Sequence, residues 1–300
     1  MYDELSFEFS IVVPTFNRAR IISNTIDSLA RINFESFEII VVDDGSSDDT
    51  AKIVSELKIE RLNYYRIDNR ERGAARNYGA IRSKGKYINF FDSDDLALPN
   101  HLSVASATID DLGSPPWFHL AYSIADEKGR PIKTCRITDI GPHNRYLAKG
   151  NVLGTNSVFL RRDVALCNPF FEDPLMAASE DYELWLRLAS QYPLYGSTEV
   201  TSLLVQHSGR SVVTTNALQL IRRMSILRER ILSSDSIRSH FGSSCDEIIM
   251  GLMLYTALHL SELDGTKRLA LRYLWSSIFC SLSCFMSRSF YATLRNLLLR

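Results

Sequence analysis

Over its first hundred residues the chain alternates short continuous apolar runs with segments of helical period. Phe9 to Val13 is a β-branched run stopped by Pro14, and Ile22, Ile26, Leu29 and Ala30 then recur at helical spacing within 21–32. Phe37 to Val42 is apolar throughout, as expected of a strand buried on both faces. The pattern next predicts a helix over 48–57, with serines and aspartates before it available as caps, and a strand over 62–67. A helix over 73–82 and a strand over 87–91 follow. This β-α-β-α-β-α-β order predicts a mostly parallel sheet covered on both faces.

Beyond residue 100 the pattern predicts a helix over 101–110, a strand over 117–125 and a turn at 127–131. Residues 132–150 have weak periodicity and read as loops over a cleft. Residues 154–160 read as a strand with a polar start, 179–188 as an amphipathic helix with an acidic first turn, and 200–205 as another strand. Apolar stripes then predict helices over 218–232, 246–263, 266–285 and 289–300, forming an appendage packed on what precedes it.

Composition narrows the function. Three hundred residues, 45% of them hydrophobic, suffice for a sizeable core. Thirty-four basic against 35 acidic side chains leave a net charge of −1, so no global field favours nucleic acid and an anionic ligand must be held locally. Five scattered cysteines (Cys135, Cys167, Cys245, Cys280, Cys284) lack zinc or disulfide spacing and point to a reducing cytoplasm. The acidic N-terminus runs into a strand without a signal-peptide pattern. The apolar stretch 273–286, bounded by Arg272 and Arg288, is too short to cross a bilayer comfortably and long enough to lie on one.

In parallel sheets ligands bind beyond the carboxyl ends of the strands, and here those ends are polar. The first ends in Pro14-Thr15-Phe16-Asn17-Arg18 and the second in Asp43-Asp44-Gly45-Ser46-Ser47-Asp48. After the third come Asp68 to Asn77, and the fourth ends in Asp92-Ser93-Asp94-Asp95. Three carboxylates within four residues are costly unless a positive group sits beside them, which makes a divalent cation the candidate. Plainer readings exist for each tip. Gly45 to Asp48 suit a turn and helix cap, Arg72 and Arg76 suit solvated helix charges, and the aspartates suit a capped loop. Against these, Arg72 and Arg76 stand four apart at a glycine-marked helix start, which suits a phosphate. Asp44 adjoins its strand, where it can accept hydrogen bonds from a nucleobase or ribose.

Four segments in order, Ser10 to Arg18, Val41 to Asp48, Arg72 to Asn77 and Phe91 to Asp95, resemble the successive signatures of family 2 glycosyltransferases. The resemblance implies the GT-A fold, an α/β class whose Rossmann-like nucleotide-binding half has a mixed, mostly parallel central sheet, here with a C-terminal helical appendage. The implied domains are a catalytic domain over 1–211 and a helical region over 212–300. Within the first, 1–99 would bind the nucleotide sugar and 100–211 the acceptor. Also implied are a nucleotide diphosphate sugar as donor, with UDP the commonest in the family, and a divalent cation, Mn²⁺ or Mg²⁺. The expected enzyme is an inverting, hexosyltransferase-type glycosyltransferase acting on a glycan or lipid-linked acceptor in cell-surface polysaccharide synthesis.

Residue by residue, the resemblance puts donor contacts on Pro14, Thr15, Asn17, Arg18, Asp44, Arg72, Arg76, Asp92, Ser93 and Asp95. Asp94 closes the DxD-type motif as metal ligand, and Asp92 and Asp95 share ribose, donor sugar or metal-bound water. Asn156 lies in a segment that lines the donor-sugar and acceptor side in this family. Ser179-Glu180-Asp181 resembles the family's ED motif, with Asp181 the general base and Glu180 a donor contact; capping by Ser179 and the helix dipole would by themselves explain the charge. His207 stands where the family can carry a further metal ligand, and Arg210 and Ser211 could hold phosphate on a closing loop. His101, His119 and His143 read as ordinary hydrogen-bonded residues. Many envelope-polysaccharide transferases work at the inner face of the cytoplasmic membrane, and arginines at 272, 288, 295 and 300 make the last helices candidates for peripheral contact there. Two other readings compete. A sugar-nucleotide pyrophosphorylase would want a glycine-rich basic loop where Pro14 to Arg18 stand. A non-catalytic binding relative is disfavoured by the retained Asp92, Asp94, Asp95 and Asp181.

Overall fold

The apolar runs become the strands of one sheet in the computed structural model, which describes residues 6–207 and 216–299. Contacts divide the chain into two compact units. One comprises Met1–His143, Leu153–Pro174 and Tyr192–Ser208, the other Asn144–Val152, Leu175–Gln191 and Gly209–Arg300.

In the first unit β1 (Phe7–Thr15) lies parallel between β2 (Phe37–Asp43) and β4 (Gly85–Phe90), and β2 is parallel to β3 (Leu62–Arg66). The crossovers are α1 (Ile22–Ala30), α2 (Thr50–Glu56) and α3 (Glu71–Arg82). Every residue of β2 is buried, which explains its lack of alternation. α3 lies close on β1: a Cβ on Gly79 would come 2.3 Å from Val12 Cγ1, so only glycine lets the helix settle there. The parallel register brings the ends of β1 to β4 to one edge, with Thr15 beside Asp43 and Asp43 beside Arg66.

Past β4 the sheet becomes mixed. It continues through β5 (Leu96–Ala97), α4 (His101–Leu112), β6 (Trp117–Ala125), β7 (Pro131–Cys135), β8 (Val158–Arg161), α5 (Arg162–Cys167) and a long strand, β9 (Tyr195–Val205). The strand order is β3-β2-β1-β4-β8-β6-β9-β5, with β7 on the side of β6. β8 is antiparallel to β4 and β6, whereas β6 and β9 are parallel. Residues 132–150 are not all loop, as β7 and a 3₁₀ turn over Asn144–Lys149 occupy part of them. Four of the five β7 side chains are exposed, so the strand carries no apolar alternation for a sequence reading to detect. The histidines do behave as hydrogen-bonded core residues. His101 bridges Asn89 and Thr201, His119 Nε2 meets His143 Nδ1 at 2.9 Å, and burial holds His101 down to about 3 and His119 to about 4.

The second unit is helical, built from α6 (Glu180–Ala189), α7 (Ala217–Ser233), α8 (Asp235–Phe241), α9 (Ser244–Glu262), α10 (Lys267–Cys280) and α11 (Arg288–Leu299). α9 is its hub, packing on α7, α10 and α11, with Leu254, Ala257, Leu274, Cys284 and Phe290 at the core. The Asn144–Lys149 turn belongs here, held by a 2.6 Å bond from the Tyr182 hydroxyl to the Leu147 carbonyl. The expected helix over 266–285 stops at Cys280. Ser281 is extended and its hydroxyl accepts from the Ser283 amide, the competing local bond that makes serine a poor helix continuer. Among the described residues no helix is long and apolar enough to cross a membrane.

Candidate active site

Four strand ends meet through side chains. The Asn17 carboxamide, on a residue with φ of 52°, accepts the Ser47 amide at 2.8 Å, tying the β1 loop to the β2 loop. Asp44, 4% exposed, accepts the Arg70 amide at 2.8 Å and so fixes the β3 loop. Burial raises its carboxyl pKa, against the lowering effect of that bond. Asp43 is spent on structure, accepting from Ser46 N and the Tyr64 hydroxyl. From the fourth strand end, Asp94 reaches Arg18 at 3.4 Å and Asp92 reaches Arg76 at 2.7 Å.

The aspartates after β4 are brought together. Asp92, Asp94 and Asp95 each offer an oxygen, all within 4.8 Å of one another. His207, just past the end of β9, places Nε2 3.0 Å from Asp94 Oδ2, across 113 residues of sequence. The set is therefore carboxylate oxygens plus one imidazole, converging on a partly buried spot, and it suits a hard divalent cation such as Mg²⁺ or Mn²⁺. Asp94 Oδ2, which faces both Arg18 and His207, is its focus.

Asp95 has a different environment. It is 1% exposed, Oδ1 accepts the Val205 amide at 3.0 Å, and Oδ2 accepts Asn156 Nδ2 at 3.0 Å. It thereby anchors the end of β9 two residues before His207. Removing this carboxylate would strand two buried donors, at about 1–3 kcal/mol each. Asn156, fully buried, holds Asp95 on one side, and its carbonyl accepts from Asn89 on the other. Asn89 had no individual signal in the sequence; an asparagine inside an apolar strand was the one available hint.

The remaining expected donor residues fall around this edge. Pro14 and Thr15 are buried in the end of β1, and the Thr15 hydroxyl has no hydrogen-bond partner. Ser93 is 6% exposed between the two aspartates. Arg72 and Arg76 occupy the first turns of α3, where Gly73 abuts the Phe171 carbonyl so closely that a Cβ would come 2.8 Å from it. Arg76 is 1% exposed with Asp92 as its ion-pair partner, so a phosphate contact would share its guanidinium with that carboxylate.

Glu180 and Asp181 belong to the second unit. Glu180 is buried, its Oε2 accepting the Ser179 amide at 2.9 Å. Asp181 is half-buried, with Oδ2 accepting from Asn151 at 2.9 Å and Oδ1 accepting the Tyr182 amide at 2.7 Å. Ser179 does not cap α6 through its side chain; its hydroxyl donates back to the Ala178 carbonyl. Arg210 and Ser211 lie outside the described residues.

The family model described as glycosyl transferase family 2 matches residues 10–161, more than half of the chain and the whole aspartate cluster. The chain belongs to glycosyl transferase family 2. An uncharacterized glycosyltransferase of Rickettsia bellii is 28% identical over 216 residues, covering 69% of this chain and 30% of the relative. The chain thus spans about a third of the length of such curated relatives. The Campylobacter jejuni GalNAc(5)-diNAcBac-PP-undecaprenol beta-1,3-glucosyltransferase is 37% identical over 100 residues, 32% of each chain. Staphylococcus aureus poly(ribitol-phosphate) beta-N-acetylglucosaminyltransferase TarS is 35% identical over 112 residues, 35% of this chain and 19% of its own. The crystal structure of TarS 1-349 with UDP-GlcNAc superposes with a TM-score of 0.72 at 19% identity, covering 97% of this chain and 88% of that one. The Pyrobaculum calidifontis mannosyltransferase PcManGT, in complex with GDP-Man and Mn²⁺, gives 0.61 at 16% identity, covering 98% and 85%. These likenesses establish the GT-A fold for this family 2 member.

Proposed function

We propose that this family 2 glycosyltransferase moves a sugar from a UDP-sugar, with inversion, to a glycan or lipid-linked acceptor of a cell-surface polysaccharide. The observation that carries the reading is the convergence of Asp92, Asp94, Asp95 and His207 at the polar edge of the sheet. Asp94 and His207 would hold a hard divalent cation, which supplies neutralisation of the diphosphate leaving group. Asp95 keeps His207 in place through Val205, and Arg76 orients Asp92. Asp44 and the unpartnered Thr15 hydroxyl receive the nucleoside, with Arg18 and Arg72 close to the phosphates.

Inversion in one displacement needs a base that takes the acceptor hydroxyl's proton as the new bond forms. Asp181 fills that role, standing in the first turn of α6 with Asn151 fixing one oxygen. A panel of sugar nucleotides tested by thermal melting with Mn²⁺ checks the donor assignment. A bound donor raises the melting temperature by mass action, about 2.7 kcal/mol at one hundred times its Kd, and UDP-sugars should stand above GDP- and CMP-sugars. No response to any donor would overturn the reading and favour a non-catalytic relative.

The same reading puts the enzyme at a membrane surface. Between Asp264 and Arg300 the chain has one acidic residue, Asp264, against Lys267, Arg268, Arg272, Arg288, Arg295 and Arg300. Trp275, Phe279, Leu282 and Met286 are 60%, 86%, 71% and 90% exposed. Aromatic and aliphatic side chains among cations suit an anionic lipid interface. In flotation, the protein should rise with anionic vesicles and stay down with neutral ones. Flotation retained after Trp275→Ser and Phe279→Ser would reject the contact.

A further inference from the structure

His101 occupies a place that an apolar side chain would fill well. It is fully buried in the first turn of α4, and its ring lies 5.6 Å from that of Phe91 and 5.2 Å from that of Phe159, centroid to centroid. A buried imidazole is stable there only if both of its nitrogens are hydrogen-bonded. Both are: Nε2 lies 3.2 Å from Asn89 Oδ1, and Nδ1 lies 3.0 Å from Thr201 Oγ1. Burial holds the ring neutral, so one nitrogen donates and the other accepts.

The neighbours fix which nitrogen does which. Asn89 Nδ2 donates to the carbonyls of Asn156 and Val158, at 3.1 and 2.9 Å, which leaves Oδ1 facing the imidazole, and a carboxamide oxygen can only accept. The ring therefore carries its proton on Nε2, and Nδ1 accepts from the Thr201 hydroxyl. Beyond Asn89, the Asn156 side chain donates to Asp95 Oδ2 and the Val205 amide donates to Asp95 Oδ1, each at 3.0 Å. Asn89, Asn156 and Thr201 are fully buried, and Asp95 almost so. One hydrogen-bonded chain thus runs from Thr201 through His101, Asn89, Asn156 and Asp95 to Val205, and both of its ends lie on β9. Two residues past Val205, His207 places Nε2 beside Asp94 Oδ2.

We infer that His101 is a positioning residue for the metal site: through this chain it holds the end of β9 at Thr201 and Val205, and so sets where His207 stands against Asp94. The chain joins β4, α4, the 3₁₀ turn Thr155–Ser157 and β9, and a broken link leaves a buried donor or acceptor unpaired. His101 acts on His207 only through these partners. The supporting partners of a metal ligand commonly govern affinity by about tenfold or more, because a ligand held loosely spends less time at bonding distance. The inference rests on Asp94 and His207 holding the cation, whereas the hold on β9 is measurable with neither metal nor donor present.

Amide hydrogen exchange of the full chain in EDTA, without nucleotide, gives the first readout. His101→Leu should speed exchange of the Val205 amide by about tenfold or more and leave the interior amides of β1 as they are. The second readout is Mn²⁺ uptake with UDP present, followed by the paramagnetic resonance of free Mn²⁺, and the same variant should weaken it by about tenfold. His101→Gln, whose side-chain nitrogen can replace Nε2 as donor to Asn89, should restore both. Unchanged exchange at Val205, or unchanged Mn²⁺ affinity, overturns the inference. So does acceleration shared equally by β1, or failure of glutamine to restore either readout, since each reduces His101 to a packing residue. If His101→Leu does not melt cooperatively, Thr201→Val decides, because it keeps the side-chain shape and removes one hydroxyl; an unaltered Val205 amide there overturns the inference. A wild type that takes up no Mn²⁺ with UDP would reject the metal reading of Asp94 and His207, and the Val205 amide would still decide whether His101 holds β9.

Discussion

Asp94→Asn should lower metal-stimulated transfer by about a hundredfold to a thousandfold, the scale on which removal of one electrostatic stabiliser of a leaving group or oxyanion acts. The substitution is isosteric, so the loss would come from charge. Asp94 is the carboxylate faced by both Arg18 and His207, at 3.4 and 3.0 Å from the same oxygen. An amide there accepts a hydrogen bond but offers a weak ligand to a hard cation, and it removes the negative charge that faces Arg18. Turnover measured against Mn²⁺ concentration should show both a lower plateau and a weaker apparent metal affinity, while the melting temperature without metal changes little. Undiminished, metal-stimulated turnover in the variant would remove the central claim about this cluster.

Asp181→Asn should lower kcat by about a hundredfold to ten-thousandfold and leave donor affinity unchanged. Structurally the replacement is mild. The introduced carboxamide oxygen can still accept the Tyr182 amide, and the introduced amide nitrogen would face Asn151 Nδ2, on an exposed side chain that can turn over at little cost. What vanishes is the capacity to take a proton. Calorimetric titration with a UDP-sugar and metal separates the effects: unchanged donor binding with a collapsed kcat is the signature of a lost base. A kcat within a few fold of wild type would move the base elsewhere.

Much of the sheet-bearing unit is legible in the sequence. Continuous apolar runs such as Phe37 to Val42 can only be satisfied by burial on both faces, so they announce interior strands of a parallel sheet. In such a sheet the polar residues after each strand must share an edge, which is why Arg18, Asp44, Arg76 and Asp92 to Asp95 could be read as one site from spacing and resemblance. The exposed strand β7 and the serine that ends α10 escaped notice because neither leaves an apolar period.

The sequence by itself determined the alternation of strands and helices, the polar edge and the aspartate triplet, because local pattern and turn chemistry encode each of them within a few residues. Only the tertiary structure decided how the three aspartates differ: Asp92 pairs with a buried Arg76, Asp94 faces Arg18 and His207, and Asp95 is anchored to Val205 and Asn156. It also placed Arg223 within the apolar stripe of α7, donating to the Ala177 carbonyl. These assignments depend on β9 running parallel to β6 and against β5, and on α7 packing on α9, pairings between segments far apart in the chain. Such contacts are fixed by the joint burial of whole faces, so no short stretch of residues records them.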